Sequence, residues 1–398
     1  MIFSQRTNWH RQQNKLTELF DSLRKSGRVI LDLTVSNPTE CGFSYPQKEI
    51  LSSFENQSSM VYDPNPHGLL SARQAVTEYY RQKNISVDPS NIFLTASTSE
   101  AYSTLFKLLC NAGESVLVQK PSYPLFEYLA QINDVELQQY DLRYDGEWHV
   151  DIESLNNLMI ENIGKSKAIV IVNPHNPTGM FLKKDEYKAI KEIARQYNLA
   201  IIVDEVFIDY AFEDDESRIG STANESDVLT FTLNGISKSC GLPQMKLGWI
   251  IVNGQRSIVN EAIERLQIIC DTFLSVNTPV QVALPKLLTI GKNIQSQILN
   301  RIKSNYTTLL TTHNPHLTSQ CSPLLSDGGW YGIIRVPRTK SDEEWALQLL
   351  EKKGVYVYPG YFFDFTDDGY LVVSLLLENS IFQKAVSDIV EYVSLSEP

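Results

Sequence analysis

The chain of 398 residues is 42% hydrophobic and 21% charged. These are ordinary proportions for folded domains and exclude a disordered, collagenous or coiled-coil protein. Thirty-five basic against 47 acidic residues give a net charge of −12 with no basic block, which excludes nucleic-acid binding as the main task. The longest wholly apolar runs, 168–172 and 199–203, fall far short of the ~20 residues a membrane span needs. The opening MIFSQRTNWHRQQNK lacks an apolar core ahead of a small-residue cleavage site, so no signal peptide is read. Five scattered cysteines (Cys41, Cys110, Cys240, Cys270, Cys321), without C-x-x-C, suit free thiols in a reducing cytosol. The expectation is a cytoplasmic protein that binds neither membrane nor nucleic acid, with two to three domains of ~150 residues or one large domain and a satellite.

In chain order, residues 5–25 read as a polar helix with one apolar stripe, Leu16, Leu19, Phe20 and Leu23. After Tyr62, short β-branched runs at 92–95, 115–119, 167–173, 200–204, 228–232 and 247–252 alternate with amphipathic stretches. Those stretches, at 71–83, 99–110, 123–131 and 184–197, read as helices. Strands parted by helices predict an α/β fold, a mainly parallel sheet covered on both faces. Near residue 275 the pattern changes. A long helix at 278–310 leads into WYGIIRVP, a helix at 342–352, GVYVYP, YLVVSLL and a last helix at 381–393. This reads as a smaller α+β domain built from 1–44 and 278–398, beside a large domain at 45–277. His313 and His316 lack the partners of a metal motif, and no metal is expected.

Four segments place reactive groups at strand ends, where open α/β sheets bind ligands. Lys238 lies in N-G-I-S-K-S (234–239), just past the strand 228–232. Asp204 closes the strand 200–204. N-P-H-N-P-T-G (173–179) is a turn stiffened by two X-Pro bonds, with cis geometry open to both. T-A-S-T-S-E-A (95–101) sets small hydroxyls over exposed helix N–H groups, an anion site. Taken singly, each has a plainer reading: a solvated lysine, a cap or surface acid, a simple turn, an ordinary N-cap. Together they match the needs of an aldehyde cofactor held as a lysine Schiff base: the lysine, an acid for a pyridine nitrogen, a donor to a phenolic oxygen and a phosphate cradle.

From about residue 30 onward the chain resembles the fold-type I pyridoxal-phosphate aminotransferases of class I and II. The resemblance rests on these segments, on Y-D-P-N-P-H-G (62–68) with Arg73, on Pro121-Ser122-Tyr123-Pro124, on D-E-V-F from Asp204, and on Ser237-Lys238 followed by G-L-P-Q-M-K-L-G-W (241–249). It implies a mainly parallel sheet of seven-stranded type in the large domain. It also implies pyridoxal 5'-phosphate as cofactor, an amino donor and a 2-keto acid as substrates, and a homodimer. Carried over position by position, Lys238 forms the Schiff base and then moves the substrate proton. Asp204 pairs with the pyridine nitrogen, Asn176 bonds the phenolic oxygen and Tyr123 stacks on the ring. Ser97, Thr98, Ser99, Ser237 and Lys246 hold the phosphate, with Tyr62 reaching in from the neighbouring subunit. Ser36 and Asn37 belong to a segment that closes over substrate.

The sequence departs from the family pattern at four places. Phe207 stands where a Tyr donates to the phenolic oxygen, with Tyr210 nearby. Gly235 replaces a phosphate-binding Ser, and Lys246 an Arg, keeping the charge without the bidentate fork. Val372 stands where an Arg pairs with the substrate α-carboxylate. Arg335 is the candidate replacement, with a plain surface residue as the alternative. The same fold and residue set also serve C–S lyases, decarboxylases and racemases. A cofactor-binding regulator is a third reading, without a helix-turn-helix or basic region to favour it. Tyr123, Trp330, Tyr331, Tyr361, Phe362 and Phe363 suit an aromatic substrate or, equally, core packing.

Overall fold

The computed structural model describes residues 2–9, 12–312 and 321–396; His313 and His316 lie outside them. The first helix spans Lys15–Lys25 rather than all of 5–25, because Asn14 caps it, accepting the Thr17 N–H at 2.7 Å. A short strand β1 (Leu31–Asp32) follows. The large sheet is then built by β2 (Ile92–Thr95), β3 (Ser115–Lys120), β4 (Glu136–Tyr144), β5 (Trp148–Val150), β6 (Ser166–Val172), β7 (Ala200–Asp204), β8 (Thr230–Gly235) and β9 (Gly248–Asn253). Their spatial order is β2-β9-β8-β7-β6-β3-β4-β5. The pairs from β8 through β4 are parallel, while β9 runs against β2 and β8, and β5 against β4. The sheet is therefore the expected mainly parallel one, with short β5 added to its edge as an eighth strand.

Alternation along the strands explains why both faces are dry. In β6 and β7, Ile169, Ile171, Ile201 and Val203 join one hydrophobic cluster, and Ala168, Val170, Ala200 and Ile202 the other. A strand buried on both sides reads as an unbroken apolar run, as these two do. β4 reads as mostly polar because only Tyr140 and Leu142 in it are buried, so the sequence pattern does not show it; the helices Ile152–Glu161 and Arg256–Phe273 are likewise additions of the structure. β8 starts at Thr230 and runs on through Asn234 and Gly235, past the end at residue 232 that the apolar run suggests. Asn234 is fully buried; its Oδ1 accepts the Gly235 N–H at 2.7 Å. A satisfied polar side chain inside a strand leaves no trace in a hydrophobicity pattern.

The chain then forms the helix Thr278–Thr312 and five short strands: β10 (Ser322–Pro323), β11 (Tyr331–Arg335), β12 (Val355–Tyr356), β13 (Tyr358–Pro359) and β14 (Tyr370–Ser374). An antiparallel sheet has the order β10-β11-β14-β13, and β1 pairs parallel with β12 through Leu31 opposite Val355. The N-terminal segment thus packs with the C-terminal part. Two turns cross closely beside the large sheet. Gly179, at φ +69°, has no room for a Cβ against Ser326 Oγ and the Gly328 carbonyl. Gly179→Ala should therefore cost about 3 kcal/mol of stability. An unchanged urea midpoint would show that this crossing is slack.

Candidate active site

The C-terminal ends of the parallel strands deliver one residue set to one edge. β2 leads to Ser97, Thr98 and Ser99, β3 to Tyr123, β6 to Asn176, β7 to Asp204, and β8 to Ser237 and Lys238. The reversed β9 begins at the same edge, just after Lys246. All of these residues line a single cavity of about 440 Å³, with Ser36 from the N-terminal segment and Tyr331, Tyr358, Phe362 and Phe363 across from them.

One end of the cavity suits an anion. The helix Thr98–Leu109 starts there, capped by Ser97, whose Oγ accepts the Glu100 N–H at 3.1 Å. The Ala101 N–H goes to the Ser97 carbonyl. The Thr98 and Ser99 amides ahead of them are first-turn groups with no intrahelical acceptor, so the helix presents N–H and hydroxyl donors together. Lys246 adds positive charge and adopts φ +52°, a left-handed backbone few non-glycine residues take. The departure at Gly235 has a steric cause. Gly235 lies opposite Gly248 across β8 and β9, and a Cβ there would stand 3.0 Å from the Gly248 Cα and from the Leu247 carbonyl oxygen. A serine there would press the two backbones apart by a few tenths of an ångström.

The other end holds the acid. Asp204 is buried, with Oδ1 accepting the Val206 N–H and Oδ2 the Tyr102 hydroxyl, each at 3.1 Å. Burial pushes its pKa up to about 6, against the pull of those two donors and of Lys238. In the sequence Tyr102 reads as one more apolar position of a helix. Between the two ends, the Lys238 ammonium sits 4.7 Å from the ring centre of Trp330 and 5.7 Å from that of Phe207. Burial lowers its pKa to about 8, with Asp204 opposing and Lys246 assisting. Tyr210 does not stand in for the tyrosine lost at Phe207, because its hydroxyl donates to the Lys238 carbonyl at 2.5 Å. In the turn after β6, Asn173–Pro174 and Asn176–Pro177 are both cis. Asn176 leaves its Oδ1 buried and without a partner among the described residues.

Three candidates lie outside this cavity. Asn37 turns its side chain onto the following turn, accepting from the Thr39 N–H and hydroxyl at 3.1 and 2.8 Å. Tyr62 is 75% exposed and lines a separate hollow with Phe273 and Leu274. Arg335 is the clear correction. It is exposed at the far end of β11, its guanidinium 5.7 Å from the Tyr144 ring centre. It shares a strand face with Tyr331, but four residues of strand set it about 13 Å further along. Val372 is fully buried, paired with Ile333 and Tyr358. Among the described residues lining the cavity, Lys238 and Lys246 are the only cations.

A family model described as aminotransferase class I and II matches residues 30–379. The chain belongs to this family. It is an aminotransferase, and the lyase, decarboxylase and racemase alternatives are not favoured. The glutamate-pyruvate aminotransferase AlaA of Haemophilus influenzae is 30% identical over 382 residues, 94% of this chain and 92% of that protein. The tyrosine aminotransferase of Dictyostelium discoideum is 28% identical over 349 residues, covering 84% and 82%. Among solved structures, the alanine aminotransferase of Pyrococcus furiosus superposes with a TM-score of 0.86 at 22% identity, covering 98% of this chain and 99% of that one. The aspartate aminotransferase of Thermotoga maritima gives 0.81 at 20%, with the same coverage. At these identities the structures speak to the fold, the α/β architecture of this family.

The charge arrangement has a pH signature. A free amine attacks a carbonyl only when neutral, so Lys238 in cofactor-free protein should react with an aromatic aldehyde faster as pH rises, levelling off above about 8. Asp204→Asn removes the attraction that holds the ammonium, so the plateau should begin at lower pH. Borohydride trapping of the adduct against pH measures both. A wild-type midpoint near the ordinary lysine value of 10.5 would mean that Lys238 is solvated.

Proposed function

We propose that this aminotransferase works with pyridoxal 5'-phosphate, moving an amino group between an amino donor and a 2-keto acid. The observation that carries this reading is the convergence of Lys238, Asp204, Asn176 and a hydroxyl-capped helix start on one cavity. The donor set fits the group chemically. Phosphate would sit against Ser97, Thr98, Ser99, Ser237 and Lys246, the ring nitrogen against Asp204, and the phenolic oxygen against the Asn176 side-chain amide, whose Nδ2 can donate to it. Tyr123 would cover the ring. When bound, the cofactor supplies an electron sink for the carbon that loses its proton. Lys238 would hold the aldehyde end of the cofactor and, as a free amine, would carry that proton, a task suited to an amine with a pKa near 8. Asp204 holds a proton at the ring nitrogen.

The same reading includes a homodimer in which Tyr62 serves the partner's site. It is supported by the exposed apolar run Met60, Val61 and Tyr62, of which Tyr62 lines a hollow with the exposed Phe273 and Leu274. A division into 45–277 and 1–44 with 278–398 is supported by the pairing of β1 with β12. Among the described residues no helix is long and apolar enough to cross a membrane. All five cysteines are free, which suits the reducing cytoplasm.

Substrate carboxylates meet a neutral wall. With Arg335 outside, Ser36, Tyr331 and Tyr358 are the donors nearest the small sheet. Arg335→Ala should leave kcat/KM within about twofold, whereas loss of a buried charge pair would cost a hundredfold or more. A hundredfold fall would restore Arg335 to the site.

The test of the main reading is covalent. Borohydride should fix the cofactor on wild-type protein at Lys238. Lys238→Ala should lose both that adduct and transamination with 2-oxoglutarate or pyruvate as acceptor. An adduct that persists in Lys238→Ala would overturn the assignment. An active monomer in sedimentation at micromolar concentration would overturn the shared site.

A further inference from the structure

We propose that Tyr102 is a positioning residue that holds and tunes Asp204 from the same helix that forms the anion cradle. The proposal rests on the reading that Asp204 faces the ring nitrogen of the cofactor.

Tyr102 is 3% exposed and donates its hydroxyl to Asp204 Oδ2 at 3.1 Å. Its ring is locked edge-on against Phe126 at 5.0 Å and packs near Phe106 at 6.1 Å. It lies four residues beyond Thr98, on the same helix face and about 6 Å along the axis. One rigid helix therefore carries the phosphate-side donors and the donor to the carboxylate. The span between the two ends of a bound cofactor is then set within a single element, without relying on two loops to keep their distance.

The groups facing Asp204 come from every side of its pocket. Lys238 attracts it from the helix Ile236–Ser239, Tyr102 donates from the helix Thr98–Leu109, and the Val206 amide donates from the turn after β7. Tyr123, ahead of the helix Leu125–Ile132, also senses its charge. Glu205 is turned away, with its carboxylate on the Ser221 and Thr222 hydroxyls and the Thr222 amide. Burial and the neighbouring carboxylate keep the Tyr102 hydroxyl protonated, so it remains a donor throughout the working pH range. Removing that donor destabilises the carboxylate and leaves the protonated acid little affected. The protonated form cannot hold a positive ring nitrogen by charge.

Tyr102→Phe deletes the hydroxyl and keeps the ring packing. In cofactor-free protein, the carbonyl infrared band of protonated Asp204, identified by its loss in Asp204→Asn, should titrate about one pH unit higher, a tenfold change. The acid limb of kcat/KM in the loaded enzyme should move the same way. A fluorotyrosine at position 102, with a more acidic and stronger-donating hydroxyl, should move both midpoints down. That opposite sign cannot come from packing, and it keeps the test open if Tyr102→Phe fails to fold. Midpoints unmoved in the Phe and fluorotyrosine proteins would overturn the proposal. A shifted infrared midpoint in a protein whose Lys238 traps no cofactor would overturn the catalytic purpose, and would be traceable to the cofactor reading.

Discussion

Burial of two opposite charges in one cavity is the constraint on which this site depends. Asp204 and Lys238 are each driven toward neutrality by lost hydration, the acid to about 6 and the amine to about 8, and each is partly restored by the other. That balance leaves the carboxylate ionised at neutral pH while keeping a usable fraction of the amine uncharged. The surrounding structure works to preserve it. Val206 and Tyr102 satisfy the carboxylate, Trp330 and Phe207 face the ammonium, and Tyr210 ties down the lysine's own carbonyl.

Close backbone approach makes the arrangement possible. Gly235 and Gly248 face each other where β8 and the reversed β9 meet, and the start of the helix Thr98–Leu109 packs against Gly248, whose Cβ would stand 3.3 Å from Ser97. The anion cradle and the lysine turn can therefore share one wall. Below them, Tyr79 donates to Asp209 at 2.6 Å, Lys83 pairs with the same carboxylate, and the Trp249 indole donates to the Tyr80 hydroxyl at 3.3 Å. These polar groups, half-buried at Tyr79, Lys83 and Asp209, are satisfied, and a satisfied network favours one packing of the strand ends.

The departures from the family pattern divide by physical cause. Gly235 lets this chain's own strand pair approach closely without a tight Cβ contact. Phe207 belongs to an aromatic enclosure with Trp330, whose rings stand 5.4 Å apart, edge to face. Val372 is an apolar residue in a dry sheet, and the cavity wall beside it presents Tyr331 and Tyr358. The cavity thus keeps its positive charge at Lys246 by the anion end and at Lys238 midway along. The opposite wall is neutral and aromatic.

Much of this was legible in the sequence, where chemistry and local periodicity coincide. The doubly buried runs β6 and β7 appear as continuous apolar segments, and Asp204 and Lys238 stand out as polar residues at the ends of such runs. The N-P-H-N-P-T-G turn and the hydroxyl-rich helix start are likewise local, since backbone geometry within a few residues dictates their composition. What stayed hidden depends on partners distant in the chain. Tyr102 meets Asp204 across 102 positions, and its role rests on one hydroxyl direction that helix periodicity cannot encode. Arg335 had the right charge on a plausible strand, yet the pleat and the strand's length carry it away from the cavity. Asn234 lies beyond the apolar run that marks β8, and only its buried side chain, accepting the Gly235 N–H, makes it part of the strand. Residue type and spacing declare which groups are reactive; only packing decides which of them face one another, because desolvation and hydrogen-bond direction are set by neighbours brought together in three dimensions.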